Sequence, residues 1–229
     1  MPRQSRIVIP GCPHHVTQRG NQRRQLFFAD ADYQLYLTLL GDHCRRFGVR
    51  VHGYCLMSNH VHLVPTPAAE DALARAVGLV NQRYSQLLNL RTGQTGHCWQ
   101  NRFFSCPLDE SYSVRTLRYV ERNPARAGLV TVPWDYPWSS ARAHCTGDDP
   151  TGLLDLMGWA SAWPGTTWQD FIALPEAPGE VDLFRLATTV GRPLGSETFV
   201  TEVEALTGRC FHPKAVGRPR NEPDGREEK

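Results

Sequence analysis

Two short stretches carry residues whose types and spacing could do chemistry. The first is Asn59-His60-Val61-His62-Leu63-Val64. In an extended strand side chains alternate, so His60 and His62 share one face while Val61 and Leu63 turn toward a core. Two imidazoles side by side make a bidentate platform for a metal ion, and that pair alone would suit zinc. A pair of surface histidines on a half-exposed strand is spelled the same way. The second stretch is Arg115-x-x-x-Tyr119-x-x-Arg122-Asn123, with Arg126 following. On a helix, residues four apart stack, which sets Arg115 below Tyr119 and Asn123 above it. A tyrosine among arginines, with an amide one turn on, is what an attack on phosphate requires. The free phenol titrates near ~10, so a neighbouring cation or metal must favour the phenolate. Asn123 could add a carbonyl oxygen to a metal's ligand set. It could equally cap a helix that opens at Pro124, with Tyr119 a half-buried helix aromatic.

Positioning these side chains falls to alternating strands and helices. Residues 6–20, with Ile7-Val8-Ile9 and His15-Val16-Thr17, read as a first strand ending at the Gly20-Asn21 turn. Asp30 or Asp32 caps a helix through about Phe47, with Leu35, Leu39, Leu40, Cys44 and Phe47 on one face and Gly48 closing it. Residues 49–64 read as two strands meeting near Met57-Ser58-Asn59. A second helix spans about 70–90 through Leu73, Val77, Val80, Tyr84, Leu87 and Leu88. Residues 98–107 suggest a further strand and 110–122 a third helix. Pro133-Trp134 through Pro137-Trp138-Ser139-Ser140 is expected to lay aromatic bulk on the outside of the domain. Short helices broken by Pro and Gly follow residue 147, and a charged, Gly/Pro-rich tail begins near Pro213. The pattern predicts an α+β module with a modest sheet.

Composition narrows the function classes. The chain has 229 residues, 41% apolar and 21% charged, a globular balance. No apolar run approaches the ~20 residues of a membrane span, and Ile7-Val8-Ile9 is too short for a signal peptide's apolar stretch. A cytoplasmic protein without membrane contact is expected. The seven cysteines are scattered, without any C-x-x-C pair, which suits a reducing compartment and packing roles. The net charge of +2 hides an asymmetry: residues 1–142 carry 17 Arg against 9 acids, and residues 143–229 carry 8 basic residues against 14 acids. A basic first part implies a polyanionic partner.

Weaker signals join these. Trp99-Gln100-Asn101-Arg102-Phe103-Phe104 mixes aromatics with a cation, as a base-stacking platform does and as a buried strand does more often. Arg19-Gly20-Asn21 can touch a strand's backbone or be a plain turn. His14 and His15 lie on the first strand, one of them a possible neighbour of the metal. Gly217-Arg218-Pro219-Arg220 reads as a minor-groove hook or a solvated tail.

Three ordered blocks carry a family resemblance. They are Gly11-Cys12-Pro13-His14-His15-Val16-Thr17-Gln18-Arg19-Gly20-Asn21, Tyr54 through Val64, and Arg118-Tyr119-Val120-Glu121-Arg122-Asn123-Pro124-Ala125-Arg126-Ala127-Gly128-Leu129-Val130. Together they resemble the single-tyrosine, His-hydrophobic-His transposases of the insertion-sequence type. The longer chain, with Gly208-Arg209 and the Gly217–Arg220 run, is similar to their REP-associated branch.

The resemblance implies a ferredoxin-like palm with a central antiparallel sheet and packed helices over residues 1–142. A mostly helical accessory region (143–212) and an Arg-bearing tail (213–229) follow. It implies Tyr119 as nucleophile, and His60, His62 and Asn123 as ligands of Mg or Mn, where mobile-element members often have Gln in place of Asn123. It implies metal-dependent cleavage and rejoining of single-stranded DNA at palindromic hairpins through a 5′-phosphotyrosine, by a monomer rather than a dimer. Arg19, Asn21, Arg102, Arg115, Arg122, Arg218 and Arg220 are the expected DNA contacts. The rival readings are a catalytically inactive hairpin-binding regulator on the same fold and a zinc hydrolase, the latter lacking an H-E-x-x-H helix.

Overall fold

The structure is a computed structural model that describes residues 5–157, 159–163 and 165–211. Arg218, Arg220 and the tail that begins at 213 lie outside the described residues. Element order is β1 (His14–Arg19), α1 (Asp30–Arg46), β2 (Val49–Met57), β3 (His60–Pro67), α2 (Ala72–Thr92), β4 (Phe104–Pro107), α3 (Glu110–Glu121) and α4 (Asn123–Arg126). Then come α5 (Ala141–Thr146), α6 (Trp159–Ala162), α7 (Gly165–Ala173), α8 (Glu180–Val190) and α9 (Glu197–Thr207). The strands form one antiparallel sheet in the order β2-β3-β1-β4. This βαββαβ arrangement with β1 and β3 at the centre is the expected ferredoxin-like palm.

Register decides which residues share a face. Thr17 pairs with His62 and Arg19 with His60 across β1 and β3, while Cys55 pairs with His62 and Met57 with His60 across β2 and β3. One face of the sheet therefore presents His15, Thr17, Arg19, His60 and His62 together. The opposite face carries Val16, Tyr54, Leu56, Val61 and Leu63, all buried under α1 and α2. On α2, Leu73, Val77, Val80, Tyr84 and Leu88 point inward at helical spacing. On α1 the buried centre is Tyr36, Leu37, Leu40 and Cys44, with Leu35 and Leu39 at the margin. This rotation lets the Tyr36 hydroxyl donate to Asn81 on α2 (3.0 Å), satisfying two groups that would be costly to bury unpaired.

Several expectations need correction. The first strand begins at His14, not near residue 6, because Pro10, Gly11 and Pro13 interrupt the chain: proline has no N–H for a ladder, and Gly11 turns through φ +75°. The strand expected over 98–107 is confined to Phe104–Pro107. Trp99 is drawn to α2 by its indole N–H, which donates to the Asn81 carbonyl (2.9 Å), and it keeps only an isolated bridge to Gly20. The Trp138 segment does more than cover the outside. Leu56 N–H donates to Trp138 O (2.9 Å) and Ser140 N–H to Tyr54 O (3.0 Å), which stitches this segment onto the free edge of β2.

The histidine face is also buried. Leu117, Tyr119 and Val120 of α3 share a core with Trp168, Ile172, Phe184 and Ala187 from the later helices. Gly53 permits this approach: a Cβ there would lie 2.1 Å from Leu117 Cδ1. Glu121, at the end of α3, is fully buried and accepts from Ser140 Oγ (2.6 Å), Trp168 Nε1 (2.9 Å) and the His144 ring. Its neighbours come from both sides of residue 143. No described helix is long and apolar enough to cross a membrane.

Candidate active site

A cleft of about 350 Å³ opens between the sheet, α3 and α8, lined by His15, Arg19, His60, His62, Tyr119, Asn123 and Arg126 among others. The strand alternation and the α3 periodicity thus deliver the two separate stretches of the sequence to one place. Tyr119 stands edge-on to both His62 (ring centroids 5.7 Å, 86°) and His15 (5.6 Å, 85°), and its other side leans on Phe184. Arg126 lies over the phenol ring at 4.5 Å.

Hydrogen-bond accounting fixes the imidazole tautomers. The Thr188 hydroxyl donates its single proton to Phe184 O (2.8 Å), so its oxygen accepts from His15 Nδ1 at 2.6 Å. His15 is wholly buried and burial pushes its pKa down to about 3, so the ring is neutral and its Nε2 carries a lone pair. That Nε2 therefore accepts from His62 Nδ1–H at 3.0 Å, leaving His62 Nε2 as a lone pair. His60 Nδ1 donates to its neighbour Asn59 Oδ1 (2.7 Å), which leaves His60 Nε2 in the same state. Burial, then the cations Arg19, Arg126 and Arg185, hold His60 down to about 4. Burial and its histidine neighbours hold His62 well below the ordinary range. Both rings are neutral lone-pair donors at neutral pH.

Tyr119 is 2% exposed, and burial raises its pKa. Arg126 and Arg185 pull the other way, and a hydrogen bond from Arg185 adds to them. The phenol thus sits where cations can accept a developing negative charge, though burial keeps its proton on.

Asn123 does not cap α4. Its amide N–H groups donate back to Tyr119 O (3.2 Å) and Val120 O (3.1 Å), and its Oδ1 accepts from Arg126 (2.8 Å). It ties the end of α3 to the start of α4 and keeps a second oxygen lone pair. Among the described residues no cluster of three or more His, Cys, Asp or Glu is arranged to hold a metal. His15, the third imidazole, is committed to His62. What remains is two imidazole nitrogens and one amide oxygen, a set that fits an oxygen- and nitrogen-accepting divalent cation.

The expected DNA contacts separate into groups. Arg19 is exposed on the lip of the cleft. Asn21 and Arg102 line a different cleft on the far face of the sheet. Arg115 and Arg122 are turned away to the later helices. Arg115 Nε meets Glu180 at 2.8 Å, while Arg122 faces Glu176 at 3.2 Å as an ion pair without hydrogen-bond alignment. Arg126 meets the same Glu176. Trp99 and Phe103 are core residues, while Phe104 of the same run is exposed. Thr188, Arg185 and Phe184 went unnoticed in the sequence. They lie on a helix far along the chain, and no short motif marks them.

Comparison with known proteins gives the family and the fold. The family model described as "Transposase IS200 like" matches residues 9–123. A protein of Haemophilus influenzae described as a REP-associated tyrosine transposase is 24% identical over 128 residues, spanning 49% of this chain and 73% of its own. A solved REP-associated tyrosine transposase bound to a REP hairpin has the same fold. Its TM-score is 0.51 at 21% identity, and the match covers 66% of this chain and 90% of that one.

Proposed function

The chain belongs to the IS200-like transposase family, and from that premise we propose that it cuts and rejoins single-stranded DNA at hairpins, with Tyr119 as the nucleophile. The observation that carries this reading is the convergence of Tyr119 with the lone-pair faces of His60 and His62 in one arginine-rimmed cleft. The similarity to REP-associated relatives favours palindromic hairpins as substrate.

In this reading the Tyr119 oxygen attacks the scissile phosphorus, a phosphotyrosine bond to the 5′ side forms and the bond to the 3′ oxygen breaks. The phenol's proton leaves to solvent, and Arg126 and Arg185 take up the negative charge on the oxygen. The departing 3′ oxygen is protonated to a hydroxyl. Bond energy is conserved in the ester, so a 3′-hydroxyl can later displace the tyrosine without ATP. His60 Nε2, His62 Nε2 and Asn123 Oδ1 would hold Mg or Mn. When bound, that ion polarises the phosphate as a Lewis acid.

The test is adduct formation. A nicked single-stranded hairpin incubated with protein and Mg or Mn should give a denaturation-resistant protein–DNA species. Tyr119→Phe should bind the hairpin as the wild type does and give none. An adduct formed by Tyr119→Phe would remove the tyrosine from the account.

A further inference from the structure

Between the end of β1 and the core residues Leu26 and Phe27, the chain crosses the tip of the β2–β3 connection, beside His60. It is pinned at both ends. Gly20 N–H donates to Asn59 O (2.9 Å), and the N–H groups of Leu26 and Phe27 both donate to Ser58 O (2.8 and 3.1 Å). Between these anchors the chain turns back through two consecutive residues in the left-handed region, Gln22 (φ +51°) and Arg23 (φ +59°). Neither is a glycine, asparagine or aspartate, the types that enter this region at least cost. No other non-glycine residue among the described ones has a positive φ. Such a conformation persists only where its surroundings over-determine it, and such places gather at functional sites.

What the turn delivers is the Arg23 carbonyl, which accepts from Asn59 Nδ2 (3.2 Å). A carbonyl can only accept, so the Asn59 amide turns its nitrogen to Arg23 and its oxygen the other way. That oxygen lies 2.7 Å from His60 Nδ1. It too can only accept, which puts the ring proton on Nδ1 and the lone pair on Nε2. With the Arg23 carbonyl elsewhere, the amide could turn over and offer an N–H to His60 Nδ1. The ring proton would then sit on Nε2, where it blocks a cation.

We propose that Asn59 is a positioning residue held in one orientation by the Gln22–Arg23 turn, so that a turn outside the cleft selects the His60 nitrogen offered to a metal ion. Gln22 and Arg23 are exposed and line no part of the Tyr119 cleft. His62 takes its tautomer from a different partner, His15, so the two rings are set independently. The inference rests on the proposed reading of His60 as a metal ligand.

The test uses the full chain, first metal-free and then with Mn alone as the probe. Nitrogen NMR should show His60 as the Nδ1–H form in the wild type. Gln22→Val puts a β-branched residue where a positive φ strongly disfavours it, and Asn59→Leu removes the amide. Each should give a mixture of His60 tautomers, leave His62 in its own form and lower Mn affinity about tenfold. Gln22→Gly tolerates the turn and should match the wild type. Asn59→Asp presents only acceptors to His60, so adding it to Gln22→Val should return the Nδ1–H form and the Mn affinity. A turn that acted only by holding the fold together would not be rescued in this way. His60 fixed as Nδ1–H in both Gln22→Val and Asn59→Leu would overturn the proposal, as would a loss in Gln22→Val that Asn59→Asp leaves unrepaired. The expected tautomer changes in a protein whose wild type binds no Mn would uphold the relay and sink the metal reading instead.

Discussion

His15 Nε2 sits 3.0 Å from His62 Nδ1, and the two rings lie nearly parallel, 6° apart. His15 thereby dictates which nitrogen of His62 faces the cleft with a lone pair. Thr188, on α8, dictates the state of His15 in turn. A helix late in the chain therefore sets the donor atom of a proposed metal ligand.

The first prediction follows from that relay. Thr188→Val keeps the shape and removes the oxygen, so His15 Nδ1 loses its acceptor and the His62 tautomer is no longer fixed. Nitrogen NMR of the metal-free protein should show His62 as the Nδ1–H form in the wild type and as a mixture in Thr188→Val. Mn affinity should fall about tenfold in that variant, and Thr188→Ser should restore both readouts. Identical imidazole spectra in all three proteins would break the relay.

The second concerns coupling of metal and DNA. The proposed ligands are all uncharged, while Arg19, Arg126 and Arg185 raise the local positive potential. A divalent cation is unfavourable there until a phosphate arrives, so each should help the other bind, by roughly 5- to 150-fold. Mn titration of Tyr119→Phe with and without hairpin measures this factor. Equal affinities would show that the arginines exert no such field.

The third concerns pH. Ile9 N–H donates to His14 Nε2 (3.2 Å) and His14 Nδ1 donates to Cys12 O (2.8 Å), an arrangement open only to the neutral ring. Burial lowers His14 from 6.5 to about 4. The unfolded chain thus binds the proton first, and stability that is complete above pH ~6.5 is lost as pH falls toward ~4, by on the order of 3 kcal/mol from this residue. Urea melts from pH 7.5 to 4.5 should show the loss, and His14→Asn should make the curve shallower by this residue's share, the buried His15, His60 and His62 supplying the rest. An equally steep curve for His14→Asn would assign the effect to other groups.

The fourth concerns the acidic second part of the chain. Glu176 and Glu180 occupy Arg122, Arg126 and Arg115. Glu176→Gln should release positive charge toward DNA, raising hairpin affinity and steepening its dependence on salt. It should also cost about 3 kcal/mol of stability by stranding buried guanidinium groups. Salt-dependent hairpin titrations together with denaturant melts check both halves. Unchanged affinity would mean that these acids only hold the helices down.

Local spacing made the parts of the site legible. The alternation at 60–64 set His60 and His62 on one face, and the spacing of Tyr119 and Asn123 set both in the same cleft, while Arg115 and Arg122 of that stretch turned to Glu180 and Glu176. The βαββαβ order could be read for the same reason, since turns and periodicity are local. Contacts across long stretches of chain were not legible. Nothing near Arg115 or Arg122 says that Glu180 and Glu176 would claim them, and nothing near His15 points to Thr188. Asn59 reads as one polar residue in a turn until its amide is seen between Arg23 and His60. The histidine face reads as half-exposed because the helices that bury it come from a region with little pattern of its own.

The bond between His15 and Thr188 joins positions 173 residues apart. A chain emerging from the ribosome makes β1, β3 and α3 well before it makes α8, and early segments can fold as they emerge. During that interval Tyr119 lacks Phe184 at its back, and the His15 ring lacks the acceptor that fixes its proton. Contacts of such separation also form slowly, since the loop between them must close first. The proposed catalytic centre is therefore complete only on a chain whose synthesis has passed Thr188.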